Sequence, residues 1–131
     1  MALTDEERKT IVDLEIAKAH RFLAQAEKRC NEEEWDSAVN RYYYACYHIS
    51  QALLIHNGLS VKTHAGMIRT IGEQFIKIGK IPEEQGAFIS RLMNLRQKAD
   101  YNCAFDLLPK DIEMCIKQSP IYIDLLEKLI H

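Results

Sequence analysis

Apolar residues recur every three or four positions along nearly the whole chain, which is the spacing of one face of an α-helix. In the first third they are Val12, Ile16, Ala19, Leu23, Ala26 and Cys30. Glycine and proline number only five and three in 131 residues, so turns are few and elements are long. No segment of useful length alternates as a β-strand does. The pattern predicts a single all-α domain over residues 1–131, an up-and-down bundle of four to five helices.

Local signals place most helix ends. Thr4, with Glu7 three residues later, predicts a capping box at the start of the first helix. A polar stretch over residues 31–34 interrupts the apolar stripe, and Asn57-Gly58 is typical of the end of a second helix. Thr63 is the expected N-cap of a third helix.

The later helices carry two prolines. Pro82 suits the first turn of a fourth helix, whereas Pro120 is expected to kink or split the fifth. The segment Tyr101–Pro109 is predicted to be a loop. We also expect Trp35 on the apolar face of the second helix and Ile78 on that of the third.

The charge balance argues against one class of function. Lys and Arg number 17 and Asp and Glu 19, which gives a net charge of −2. Coating nucleic acid through bulk charge requires a dense basic surface, so only a local basic patch remains compatible with this balance. The first eight residues are acidic rather than basic and apolar, and the longest apolar run is Tyr42–Tyr47. We therefore expect a cytoplasmic protein with no membrane segment.

The cysteines and histidines lack the spacing of metal sites. The four cysteines are Cys30, Cys46, Cys103 and Cys115. No Cys-x-x-Cys pair occurs, and the prediction is that they are reduced and mostly buried. No His-Glu-x-x-His motif, Glu-x-x-His pair, phosphate-binding glycine loop or DNA-specific motif is present. We expect no metal and no cofactor.

One polar cluster lies within the second predicted helix. Arg41, Tyr44 and His48 stand at positions i, i+3 and i+7, so the three side chains share a face. They are candidates for binding a ligand. The alternative is a core helix whose tyrosine hydroxyls reach water at its edge.

Two further clusters lie near helix ends. Thr63 and His64 begin the third helix, where unpaired backbone N–H groups favour an anion, although a histidine there is also compatible with simple solvation. Arg96, Asp100 and Tyr101 lie at the end of the fourth helix. Arg96 and Asp100 are four residues apart, and an ordinary surface ion pair is the expected arrangement.

Taken in order, the three clusters resemble a known family. They read R-x-Y-Y-A-x-Y-H at Arg41–His48, K-T-H-x-G at Lys62–Gly66 and L-x-x-L-R-x-x-A-D-Y at Leu92–Tyr101. This order is similar to that of the HEPN superfamily, in its small stand-alone prokaryotic branch. The resemblance implies a dimerising helical bundle. It also implies relatives that include metal-independent ribonucleases and toxins, often paired with a nucleotidyltransferase that acts as antitoxin.

The resemblance is incomplete at the ribonuclease signature, in which an arginine is followed shortly by a histidine. Arg96 matches the arginine, but the histidine positions hold Tyr101, Asn102 and Cys103. A tyrosine, with a reference pKa near 10, is a poor general base at neutral pH. In some family pairs the nucleotidyltransferase adds a nucleotide to a tyrosine near this signature, and Tyr101 is the candidate here. Arg96, His64 and Tyr101 are the catalytic candidates.

Three functions follow as hypotheses. The first is a dimeric nucleotide- or RNA-binding module that works with a nucleotidyltransferase and lacks efficient ribonuclease activity. The second is a metal-independent ribonuclease toxin that combines Arg96 with a histidine from another helix. The third is a structural helical adaptor. The expected ligand-binding residues are Arg41, Tyr44, His48, His64, Arg96, Asp100 and Tyr101.

Overall fold

The computed structural model of the chain describes residues 2–131 and contains five α-helices over that range. They are α1 (Asp5–Asn31), α2 (Trp35–His56), α3 (His64–Ile71), α4 (Glu83–Tyr101) and α5 (Pro109–Ile130). A π-helical turn, Gly72–Ile76, follows α3 directly. No β-strand occurs in the described residues, so the predicted all-α helical bundle is confirmed.

The helix ends form where their capping residues predict them. The Thr4 hydroxyl accepts a hydrogen bond from the Glu7 backbone N–H, and the Glu7 carboxylate accepts one from the Thr4 N–H. The Thr63 hydroxyl likewise accepts a bond of 2.9 Å from the Gly66 N–H. Each cap satisfies a backbone donor that has no partner within the helix. These two predicted caps are confirmed, and the Thr63 cap fixes the start of the helix that carries His64.

Helix α2 is the centre of the core. It contributes twelve buried residues, and α1, α4 and α5 all pack against it. Cys46 and Cys115 are buried between these helices, as predicted, and burial raises the pKa of the Cys115 thiol to about 12. All four cysteines are free thiols, and Cys103 is the exposed one.

Three expectations about local structure are wrong. Ile78 is 61% exposed, because the π turn holds one extra residue per turn and rotates the following positions away from the core. Trp35 is 39% exposed, at the first residue of α2. Helix α5 is continuous through Pro120, so the predicted split into two helices does not occur. Pro120 and Ile116 are both exposed, so water can satisfy the carbonyl group that the proline leaves without a donor.

Two kinds of feature do not occur in residues 2–131. No helix there is long and apolar enough to cross a membrane. The same residues contain no cluster of three or more His, Cys, Asp or Glu side chains arranged to hold a metal ion.

Candidate functional site

Arg96 is buried where α4 packs on α2. Its side chain lies against two tyrosine rings of α2, with the guanidinium carbon 4.9 Å from the ring centre of Tyr43 and 5.5 Å from that of Tyr44. Such contacts stabilise a cation through the negative face of the ring. We use the name arginine–histidine centre for the group formed by Arg96, Tyr43, Tyr44 and His64. The position of His64 is described below.

The polar partners of Arg96 are incomplete. One terminal nitrogen lies 3.7 Å from the Asp100 carboxylate, a charge interaction longer than a hydrogen bond. The Nε atom is buried and has no hydrogen-bond partner in the described residues. The expected surface ion pair is therefore wrong, since only 6% of the Arg96 side chain is exposed. Buried donors in proteins are nearly always paired, so the Arg96 Nε donor is a candidate to bind an acceptor from outside the chain.

His64, the first residue of α3, comes to the same tyrosine from a different helix. Its Nδ1 atom is 2.5 Å from the Tyr43 hydroxyl oxygen, and its ring centre is 4.8 Å from that of Tyr47. Burial lowers the pKa of His64, and the positive charge of Arg96 lowers it further. The imidazole is therefore neutral at pH 7, and Nε2 remains available to a ligand.

Tyr43 contacts both Arg96 and His64. It is fully buried, and burial raises the pKa of its phenol while the nearby Arg96 charge opposes that rise. The neutral hydroxyl both donates and accepts, so its contact with Nδ1 supports either neutral tautomer of His64. When Tyr43 donates, Nε2 carries the proton. When Tyr43 accepts, Nε2 offers a lone pair.

A chain of polar contacts links Arg41 to the arginine–histidine centre. Arg41 donates to the Asn40 side-chain oxygen at 3.0 Å, and the Asn40 amide donates to the Asp100 carboxylate at 3.0 Å. Asp100 in turn faces Arg96. Two arginines of different helices are thus held in one network by a single carboxylate, which leaves their combined positive charge only partly neutralised.

His48 has a partner of its own on α1. Its Nδ1 atom lies 2.8 Å from the Glu15 carboxylate, and the edge of the Phe22 ring contacts it at 5.4 Å between ring centres. Tyr44 and Tyr47 each contact both His48 and His64. The two histidines are therefore joined through aromatic rings, and both contact Tyr44, but only His64 also contacts Tyr43, the second tyrosine that packs on Arg96.

Tyr101 does not join this network. It is 78% exposed at the end of α4, beside Gln97 and Lys98. Each residue advances an α-helix by about 100°, so a position five residues after Arg96 points about 140° away from it. The structure thus brings together six of the seven predicted binding residues and leaves Tyr101 on the outer surface. The six are Arg41, Tyr44, His48, His64, Arg96 and Asp100.

Several residues of the site were not among the predicted ones. Tyr43 lies inside the R-x-Y-Y-A motif, which is a signal that could have found it. Asn40 directly precedes Arg41, but its spacing does not indicate a contact with Asp100. Glu15 and Phe22 belong to α1, and no local pattern indicates that they meet His48.

A bundle of helices is what the HEPN resemblance implies, and the comparisons with known proteins agree with it. The chain belongs to the HEPN domain family, whose model matches residues 12–129. It is 32% identical to a protein of Thermotoga maritima named "UPF0332 protein", over 95% of this chain and 94% of that protein.

Two relatives from Methanocaldococcus jannaschii carry names that refer to toxicity. "Putative toxin MJ0605" is 31% identical over 98% of this chain and 96% of its own length. "Putative toxin MJ0142" is 29% identical over 88% of this chain and 78% of its own length. The chain is thus a HEPN-domain protein with relatives named as toxins.

Proposed function

We propose that this protein is a dimeric HEPN module that binds a nucleotide or RNA phosphate at the arginine–histidine centre and works with a nucleotidyltransferase. One observation carries the proposal: the buried Arg96 has an Nε donor without a partner, next to a neutral His64. A phosphate oxygen is the acceptor that a guanidinium fork binds best.

The geometry assigns a role to each group. Arg96 is held in place by Tyr43 and Tyr44, so its donors are oriented before a ligand arrives. His64 donates through Nε2 when Tyr43 donates to Nδ1. Because the guanidinium is largely removed from water, its attraction for an anion is stronger than on an open surface. Tyr44 and Tyr47 are half-buried beside it and offer ring surface to a base.

Calorimetry with inorganic phosphate, AMP and a short single-stranded RNA tests this proposal. Arg96→Gln is expected to weaken binding about tenfold or more, the loss typical of a charged hydrogen bond. Arg91→Gln is the matched control, since Arg91 is exposed on the same helix. Circular dichroism checks that both variants are folded. Equal affinities for the two variants, or no binding by the wild type, would contradict the proposal and favour the structural adaptor.

A metal-independent ribonuclease is the second candidate, and the position of His64 favours it. When Tyr43 accepts from Nδ1, the Nε2 lone pair can take the proton of an RNA 2′-hydroxyl. The 2′-oxygen then attacks the adjacent phosphorus, and the 5′-oxygen leaves and takes up a proton. Arg96 stabilises the charge on the phosphate. His64 thereby takes the place of the histidine that the signature lacks.

Cleavage assays in EDTA separate the two candidates. An active ribonuclease is expected to cut RNA without metal, and both Arg96→Gln and His64→Gln are expected to abolish cleavage. His56→Gln is the matched control, because His56 is exposed at the end of α2. Tight binding without cleavage supports the binding module.

The partner in this proposal is a nucleotidyltransferase that acts on Tyr101. The phenol is 78% exposed, as transfer to its oxygen requires. Incubation with the nucleotidyltransferase and ATP is expected to add one nucleotide to the wild-type protein and none to Tyr101→Phe. Mass spectrometry measures the added mass. Equal labelling of both proteins would assign the modification elsewhere.

A further inference from the structure

Three cations surround one aromatic ring on the face formed by α1 and α2. The guanidinium carbon of Arg41 lies 5.0 Å from the ring centre of Phe22, and that of Arg21 lies 6.0 Å away. The ammonium nitrogen of Lys18 lies 5.7 Å from the same centre. Lys18, Arg21, Phe22 and Arg41 are called the Phe22 cluster. Like charges gathered around one ring repel one another, and the ring compensates them only weakly.

In the part of the chain that the structure describes, no carboxylate pairs directly with a cation of the Phe22 cluster. Within residues 2–131, none of its three cations has an acidic group within 4.0 Å. The carboxylate of Glu15 is on this face of α1, and it is engaged with His48. The whole chain has a net charge of −2, so this face concentrates positive charge in an otherwise slightly acidic protein. Such a patch favours a polyanion.

The Phe22 cluster is continuous with the arginine–histidine centre. Ring centres are 5.4 Å apart from Phe22 to His48 and 6.5 Å apart from His48 to Tyr44, whose ring contacts Arg96. Phe22 and Tyr44 are half-buried, and the His48 side chain between them is 12% exposed. On the other side, Asn40 and Asp100 join Arg41 to Arg96. Cations thus lie at both ends of a row of partly accessible rings.

We propose that this row is a track for single-stranded RNA, in which the Phe22 cluster holds the nucleotides that flank the one bound at Arg96. This inference rests on the proposed function, because it takes the arginine–histidine centre as one end of the track. Interleaved cations and aromatic rings bind single strands by pairing with phosphates and stacking on bases. Paired bases do not present their faces, so a duplex is not an equivalent ligand.

The test compares ligand length. We titrate the protein with AMP, with a single-stranded RNA of roughly six nucleotides and with the matching duplex. The comparison gives the affinity that the track contributes beyond the binding of a single nucleotide. The oligonucleotide is expected to bind at least about fivefold more tightly than AMP, the smallest gain typical of one stacked base. Arg21→Gln is expected to remove most of this gain and leave AMP affinity unchanged, and Phe22→Leu is expected to weaken oligonucleotide binding. Lys117→Gln, an exposed lysine on α5, is the matched control.

Each outcome separates the track from the centre. If the oligonucleotide binds no better than AMP, or the duplex binds equally well, the track is refuted while the proposed function stands. If oligonucleotide binding depends on Arg21 and Phe22 but not on Arg96, the proposed function fails and the Phe22 cluster is an independent RNA site. If nothing binds, both fail. Because Arg21 is exposed, Arg21→Gln reports on the track even if Phe22→Leu disturbs packing.

Discussion

Arg96 on α4 and His64 on α3 contact the same tyrosine. The guanidinium carbon lies 4.9 Å from the ring centre of Tyr43, and the His64 Nδ1 atom lies 2.5 Å from its hydroxyl oxygen. The two residues are 32 positions apart in the chain (96 minus 64) and belong to helices that both pack against α2. Any change at either residue is therefore expected to reach the other through Tyr43.

The stability of the protein is expected to fall as the pH drops below the ordinary histidine value of 6.5. His64 has a lowered pKa in the folded state, because burial and the Arg96 charge both oppose its protonation. The unfolded chain therefore binds this proton more readily, and stability present above pH 6.5 is lost as pH falls through the folded pKa. Urea midpoints measured through this range are expected to vary less in His64→Gln than in the wild type. His56→Gln serves as control. If the urea midpoint depends on pH in His64→Gln as strongly as in the wild type, the explanation is wrong.

Gly66→Ala is expected to destabilise the protein by about 1 kcal/mol, the typical loss of a helix N-cap. A Cβ atom at this position would lie 2.6 Å from the Thr63 hydroxyl, which must rotate and give up its hydrogen bond. Gly72→Ala is the control, for which a change in stability of the opposite sign is expected. Gly72 has helical angles and open space around it, so alanine there is expected to stabilise by about 0.5–1 kcal/mol. Denaturant unfolding measures the free energy of unfolding of both variants. If the two substitutions change it in the same direction, the prediction is wrong.

Tyr101→His is expected to yield a folded protein without new ribonuclease activity. The variant restores a histidine at the signature position, but this position is exposed and points away from Arg96 within one chain. RNA cleavage in EDTA measures the outcome. Cleavage that appears in Tyr101→His and disappears in the double variant with Arg96→Gln would instead show that two copies of the chain bring these positions together.

The purified protein is expected to be a dimer. Light scattering should give about twice the chain mass of 15.2 kDa at micromolar concentration. The expectation rests on membership of the HEPN family, for which the sequence resemblance implies dimerisation. A monomer at this concentration would exclude a site shared between two copies.

The helices could be predicted because their signals are local. The Thr4 and Thr63 caps depend on residues three positions away, and apolar spacing predicted a bundle of four to five helices. The same spacing placed Arg41, Tyr44 and His48 on related faces of α2. The π turn carries no comparable local signal, which is why the exposure of Ile78 was not predicted.

The contacts of the site could not be predicted because they depend on how helices pack. Tyr43 and His64 are 21 residues apart, and His48 and Glu15 are 33 apart. Which side chains meet across such separations is set by the relative positions of helices, which periodicity does not encode. The burial of Arg96 has the same origin: four residues from Asp100 it has the spacing of a surface pair, yet α2 covers it.

Helix α2 carries Tyr43, Tyr44 and His48 and is also the element on which α1, α4 and α5 pack. A mutation in α2 that altered the site would in many cases also unfold the protein and be eliminated by selection on stability. Substitutions that change activity without unfolding the protein are therefore expected outside α2, at His64 on the short α3 and at the exposed end of α4. Tyr101, in place of the signature histidine, occupies such a permissive position.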